Sequence, residues 1–300
     1  MTVPFPWKVF LLLIRALPQA SLSRATGWLA HRPIPPRLRS PVLGFLARLL
    51  GMDLSEAERS LGEYPSFGAL FVRRLAPGRR PLDGDPNTLV SPVDGIVGEW
   101  GTISHGTALQ AKGIAYSVDE LLGGEGDGEI FRGGSYLTIY LSPRHYHRIH
   151  APAAGGVVQA RHLPGALLPV NAPAVASIPH LFPRNERLVA WLSMEGKVSM
   201  ALAAVGAFNV GRISATFDPQ WNQRPHAGEG VTNRKGRGRP ETRLYDPAIP
   251  VPRGGELMAF HLGSTVVLLL PPGFRITAPP PGTEVRMGEG LARPITRTRS

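Results

Sequence analysis

The chain has 300 residues, 43% of them hydrophobic, enough for one large domain or two unequal ones with a substantial core. Its 35 glycines and 31 prolines sit among recurring hydrophobic segments, which marks them as turn residues of a β-rich fold and not as a disordered tract. There is no cysteine, which excludes disulfides, thiolate nucleophiles and cysteine-ligated zinc or iron–sulfur centres. The formal charge of +11 is unevenly placed: residues 1–50 carry Lys8, Arg15, Arg24, Arg32, Arg37, Arg39 and Arg48 with no acid. A second basic patch runs through Arg234, Lys235, Arg237, Arg239 and Arg243. Such a field attracts nucleic acid and anionic lipid alike, so charge alone does not choose.

The first fifty residues read as helices with apolar faces. Pro6–Leu17 sets Trp7, Val9, Phe10, Leu11, Leu12, Leu13 and Ile14 beside Lys8 and Arg15. Its apolar run is shorter than the ~18 residues needed to span a bilayer. A signal peptide is the weaker reading, because Ala16–Ala20 offers no convincing small-residue cleavage site. A second helix runs from Ser21 or Ser23 to His31, presents Leu22, Trp28 and Leu29, and is stopped by Pro33, Pro35 and Pro36. A third, Pro41–Leu50, offers Val42, Leu43, Phe45, Leu46, Leu49 and Leu50 beside Arg48. Apolar faces with tryptophans and arginines but no acids describe a segment lying in an anionic membrane surface. The plain alternative is that these helices dock on the main domain.

Ser55 with Glu58 has the spacing of a capping box and predicts a short helix, and another is expected over about Ser66–Arg74. Pro77–Pro81 ends this region and places a domain boundary near residue 80: a helical, membrane-associating part, 1–80, and a β-rich catalytic part, 81–300. From Leu89 the chain reads as short strands between glycine and proline turns. They are Gly95–Ile103, Tyr136–Leu141, Gly156–Arg161, Leu188–Met194, Val198–Val205, Arg212–Ala215, Glu256–Phe260 and Thr265–Leu270. Asn209, Gly211, Gly236 and Gly238 read as turn positions, and 219–243 as a mobile basic loop. The fold class is α+β: a mostly antiparallel sandwich or barrel-like domain preceded by amphipathic helices.

Three places concentrate reactive residues. In Ser91-Pro92-Val93-Asp94-Gly95 a carboxylate stands at a strand start, where it can equally cap its own turn. Ser142-Pro143-Arg144-His145-Tyr146-His147-Arg148-Ile149-His150-Ala151-Pro152 gathers histidines, which exchange protons near neutrality, with arginines and a tyrosine. In an extended strand His145 and His147 share a face and His150 takes the other, so the chain must bulge or turn for His147 and His150 to serve one site. In Phe260-His261-Leu262-Gly263-Ser264-Thr265 a small step opens the apolar strand Val266–Leu270. Ser264 is either the plain start of that strand or a rigidly held nucleophile, and there is no Gly-x-Ser-x-Gly elbow to suggest an α/β-hydrolase. Asp94, a histidine and Ser264 together contain the parts of an acid–base–nucleophile triad.

The chain resembles the bacterial, membrane-associated phosphatidylserine decarboxylase proenzymes. The likeness rests on Phe67–Arg80 (FGALFVRRLAPGRR), Ser91–Gly95 (SPVDG), Tyr140–Pro152 (YLSPRHYHRIHAP), Val205–Gly211 (VGAFNVG) and Gly255–Leu270 (GELMAFHLGSTVVLLL). The resemblance implies that Asp94, His150 and Ser264 perform self-cleavage between Gly263 and Ser264, and that His147 serves decarboxylation. It leaves His145 without a role, since Arg144-His145 stands where many relatives carry an acid before the tyrosine. It implies a β chain of 1–263, an α chain of 264–300, and a pyruvoyl cofactor made from Ser264, with no metal. That ketone would form a Schiff base with phosphatidylserine and release CO2 to give phosphatidylethanolamine. It also implies a homodimer of the cleaved unit, peripheral on the cytoplasmic face of the inner membrane, with anionic lipid and no nucleic acid as partner. Rival readings are a zinc peptidase or amidase using His145, His147 and Asp94, a serine hydrolase using Asp94, His150 and Ser264, and a non-catalytic module binding lipid or nucleic acid. Aromatic residues are not interleaved with the 234–243 basic run as a nucleic-acid stacking platform requires.

Overall fold

The computed structural model describes residues 19–111, 113–194, 197–207, 212–222, 231–232, 238–261 and 264–295. The expected helix Pro6–Leu17, the turn positions Asn209, Gly211 and Gly236, the basic residues Arg234, Lys235 and Arg237, and Gly263 lie outside the described residues.

Helix α1 (Gln19–Ala30) is followed by α2 (Pro36–Leu50). The second begins five residues before the sequence expectation, because Pro36 in the first turn supplies a preset φ and needs no partner for a missing N–H. Pro41 is then carried inside the helix, and the carbonyl it leaves unpaired, that of Arg37, belongs to an exposed turn. Gly51 closes the helix in the left-handed region, φ 67°, with its N–H on the Ala47 and Arg48 carbonyls. The helix expected at Ser55 does not form. Asp53 Oδ1 takes both the Ser55 amide and its hydroxyl, at 2.9 and 2.8 Å, and the reciprocal cap falls instead at Ser60 and Glu63 around a 3-10 turn, Leu61–Glu63. Helix α3 is shorter than expected, Phe67–Phe71, with the Ser66 hydroxyl accepting from Ala69 N–H. Leu43, Ala47, Met52, Tyr64, Leu70 and Phe71 form a small core of their own.

The strands follow: β1 (Leu89–Val90), β2 (Gly95–Thr102), β3 (Thr107–Ala111), β4 (Ile114–Ser117), β5 (Ser135–Leu141), β6 (Arg148–His150), β7 (Gly155–Leu163), β8 (Arg187–Met194) and β9 (Lys197–Val205). Beyond them lie β10 (Ile213–Ala215), β11 (Glu241–Val251), β12 (Glu256–Phe260), β13 (Ser264–Leu270), β14 (Phe274–Ile276), β15 (Glu284–Val285) and β16 (Gly290–Pro294). Eight of them make one antiparallel sheet in the order β11-β7-β8-β9-β13-β5-β2-β15, which does not close into a barrel. Smaller sheets, β10-β12-β6 and β1-β16-β14, accompany it, so the fold is α+β with a largely antiparallel sandwich-like body. Every residue of β13 is buried, as its unbroken Val-Val-Leu-Leu-Leu run requires of a central strand covered on both faces. The basic loop expected over 219–243 is ordered at both ends: Pro219–Asn222 is a helical turn and Glu241 opens edge strand β11.

Candidate active site

Register aligns the reactive segments. Ser264 is opposite Leu141 of β5, and Thr265 is opposite Tyr140 on one side and Val205 of β9 on the other. Tyr140 also faces Ile96 of β2, so the ends of β2, β5 and β13 lie side by side. Asp94, just before β2, thus stands about two strand spacings, roughly 10 Å of backbone, from Ser264. Gly95 allows the close approach, because a Cβ there would lie 2.6 Å from the Tyr140 carbonyl oxygen.

Strand β5 runs straight into the histidine segment. His145 N–H donates to the Ser142 carbonyl and Ser142 N–H to His145 Nδ1, both at 3.0 Å, and this tight turn reverses the chain. His147 then lies beside β12, its carbonyl accepting Phe260 N–H at 2.9 Å. His150 pairs with Glu256, and the register slips between Glu256 and Met258. That slip lies on the partner strand β12, while the segment from His147 to Ile149 keeps regular pairing with Phe260 to Met258, so the bulge or turn expected between His147 and His150 in their own strand is not seen. A connection of three residues, His261 to Gly263, leads from β12 into Ser264.

The Ser264 hydroxyl is fully buried and has no hydrogen-bond partner. His147 is fully buried too: its Nδ1 lies 2.8 Å from the His145 carbonyl, and the Phe71 ring packs on it with centroids 4.1 Å apart. A carbonyl can only accept, so Nδ1 carries the proton and Nε2, which has no partner, is a bare base. Burial pulls its pKa down to about 3, with the nearby Arg73 charge adding to the effect. His150 is arranged alike, with Nδ1 on the Gly254 carbonyl at 2.8 Å and Nε2 3.1 Å from the Tyr146 hydroxyl. Gly254 has φ 74°, and the turn that aims this carbonyl depends on its freedom there. Burial lowers the His150 pKa as well, opposed by the Gly254 carbonyl and by the charges of Glu256 and Asp94.

Asp94 is placed differently from a triad aspartate. Its Oδ1 accepts the Met287 amide at 2.8 Å and Arg80 Nε at 2.9 Å, and its Oδ2 accepts Arg80 Nη2 at 2.5 Å. Arg80 also binds Glu56 at 2.7 Å. No hydrogen bond joins Asp94 to His150, or His150 to Ser264, among the described residues. Asp94 acts on His150 through its field and through a shared loop, in which His150 N–H donates to the Pro92 carbonyl at 2.8 Å. Reasoning from the sequence gave no roles to Arg80, Glu56, Tyr146, Phe71 or Gly254. Arg80 and Phe71 were within reach of it, as both fall inside the FGALFVRRLAPGRR stretch.

The zinc reading needs His145, His147 and Asp94 to converge. His145 Nδ1 and His147 Nδ1 are turned to backbone groups, and no group of three or more metal-ligating side chains forms among the described residues.

Comparison with known proteins places the chain in a family. The family model for phosphatidylserine decarboxylase matches residues 67–293, which span α3, the sheets and every residue placed above except Glu56. The chain belongs to the phosphatidylserine decarboxylase family. It is 45% identical over 281 residues to the phosphatidylserine decarboxylase proenzyme of Halorhodospira halophila, covering 92% of this chain and 91% of that one. The proenzymes of Myxococcus xanthus and Anaeromyxobacter sp. are each 42% identical, over 267 and 286 residues. The former match covers 88% of this chain and 90% of the relative, the latter 95% and 98%.

Proposed function

We propose that this chain decarboxylates phosphatidylserine to phosphatidylethanolamine through a pyruvoyl group that it makes from its own Ser264. The observation that carries the reading is the buried, unpartnered Ser264 hydroxyl at the head of β13, directly after glycine and opposite Leu141, where β5 leads into the histidine segment, in a chain of this family.

For self-cleavage, the Ser264 hydroxyl proton passes to His150 Nε2, for which the bonded Tyr146 hydroxyl is a relay of suitable chemistry. The freed oxygen attacks the Gly263 carbonyl, and the amide becomes an ester with a free amine on residue 264. Loss of the 264 α-proton expels the Gly263 carboxylate and leaves a dehydroalanine. Water then replaces its nitrogen, releasing ammonia and leaving a ketone. The products are a β chain ending at 263 and an α chain beginning at 264. They stay together because β13 is hydrogen-bonded between β5 and β9, both of the β chain. Asp94 supports the proton taken up by His150 electrostatically, while Arg80 and Met287 N–H fix its carboxylate.

Held at position 264 by β13, a pyruvoyl group would supply a ketone for the substrate amine and an electron sink for the loss of CO2. The substrate arrives as an ammonium and must surrender a proton before its nitrogen can attack. His147 Nε2, bare and neutral, takes that proton and returns it to the carbon that CO2 has left.

Residues 1–80 hold the protein at the membrane. Leu38, Val42, Phe45 and Leu49 are exposed and follow one face of α2, opposite the buried Leu43 and Ala47, while α1 exposes Trp28 and Leu29. Arg32 stacks on Trp28, 3.9 Å from the ring centre. No helix of the described residues is long and apolar enough to cross a bilayer, and this face supports a peripheral position on anionic lipid at the cytoplasmic side. A homodimer of the cleaved unit is part of the same reading. The activity is tested by CO2 release from carboxyl-labelled phosphatidylserine in vesicles: the protein should release it and Ser264→Ala should not. Equal release by both would reject the reading.

A further inference from the structure

A cavity of about 280 Å³ lies between the end of α1, α3 and the β12–β13 connection; Arg73, Arg74, Arg148 and His261 line it, and at its exposed side Arg59 stands beside the one acid of the wall, Glu58. Two of its arginines are already balanced: Glu256 binds Arg148 and lies 3.6 Å from Arg74. Arg73 is not. It is 3% exposed, and among the described residues its Nε and Nη1 have no partner while its remaining nitrogen reaches only the Asp53 carbonyl, at 3.5 Å. A buried guanidinium with open donors is costly to keep, and one that lines a cavity is shaped to receive an anion. His261, in the same wall, also has an unpartnered nitrogen, Nδ1.

The position of the cavity narrows the choice of anion. Arg73 lies two residues beyond Phe71, whose ring covers His147, and Arg148 Nε ties Val72 to the histidine strand at 2.9 Å. His261 is three residues before Ser264. The cavity thus lies on the side of the helical region, with a wall residue, His261, on the connection that leads to Ser264. Resting on the function proposed above, we infer that Arg73 binds the phosphodiester of the substrate headgroup, with His261 beside it.

The substrate offers a carboxylate as well, but that group loses its charge as CO2 departs. A guanidinium fixed on it would stabilise the starting state over the transition state. The phosphodiester keeps its charge throughout, so holding it lowers KM without opposing the chemistry.

The test begins with the full-length, uncleaved Ser264→Ala protein, in which no ketone complicates binding. Calorimetric titration with glycerophosphoethanolamine, and separately with inorganic phosphate, should show the diester bound more tightly. Adding Arg73→Gln should weaken the diester by about tenfold or more, as expected for loss of a charge-assisted bond, and Arg73→Lys by less. In self-cleaved protein, Arg73→Gln should raise KM for phosphatidylserine by a similar factor and leave kcat within about threefold. Three results would overturn the assignment: no diester binding to the Ser264→Ala parent, inorganic phosphate bound as well as the diester, or a fall in kcat at unchanged KM. Should Arg73→Gln fail to fold, the parent titration and Arg73→Lys still decide. Failure of the wild type to release CO2 would instead strike the proposed function, leaving the binding result to be read on its own.

Discussion

Replacing Arg80 with methionine should destabilise the fold by a large, pH-dependent amount. The guanidinium, 7% exposed, lies between the carboxylates of Asp94 and Glu56, 9% and 17% exposed. Burial disfavours its charged form, yet the hydrogen bonds it donates to Asp94 and Glu56 outweigh this and raise its pKa above the ordinary arginine value. The Arg80 hydrogen bond in turn holds Glu56 below the usual carboxylate range. Arg80→Met leaves the buried Asp94 without its counter-charge and Glu56 with only Arg286, 3.7 Å away, and breaking such a buried pair costs about 3–5 kcal/mol. In a domain of this size the melting temperature should fall by on the order of 10 °C. The sign with pH follows from Glu56, whose folded pKa is depressed: its stabilisation is complete above the unfolded carboxylate value and is lost as pH falls through the folded one. The gap between wild type and variant should therefore be widest near neutrality and shrink towards pH 3. Urea unfolding of Arg80→Met in the Ser264→Ala background, which keeps one chain, measures it. Adding Asp94→Asn should restore part of the loss. A gap under about 1 kcal/mol at pH 7, or one unchanged down to pH 3, would show that the ion triad is not what fixes Asp94.

Three further outcomes are expected. His147→Ala should still cleave itself but lose roughly 10²–10⁴-fold in kcat, the range for a positioned acid–base group, as measured on the purified self-cleaved protein with its two chains associated. Because burial keeps His147 deprotonated down to about pH 3, lowering pH from 7 to 5 should not protonate it, and kcat should show no step at the ordinary imidazole value of about 6.5. Phe45→Glu with Leu49→Glu should weaken binding to anionic vesicles by roughly 10–100-fold or more, since each apolar side chain contributes about 1.5–3 kcal/mol when buried. Unchanged flotation with vesicles would remove α2 from the membrane contact.

Much of this site was legible in the sequence because chemistry and periodicity agreed there. The unbroken apolar run after Ser264 fixed β13 as a buried central strand. The spacing of His147 and His150 called for a bulge or turn between them, whereas the irregularity falls on the partner strand β12, so that part was not read correctly. What was not legible depends on contacts distant in sequence. The partner of Asp94 is Arg80, in a loop before the sheet, and the carbonyl that fixes His150 belongs to Gly254, 104 residues away. Local rules also competed: Asp53 outbid Glu58 for Ser55, and Pro36 started α2 before Pro41 could. Strand β11 escaped because it is an edge strand with a mostly polar, partly exposed face, so apolar alternation is weak.

Intact-mass analysis of a lipid-active preparation tests the central claim most directly. It should show one fragment ending at Gly263 and a second beginning at position 264 with a ketone in place of its amino terminus. Full activity from a single uninterrupted chain that retains an ordinary serine at 264 would contradict the account.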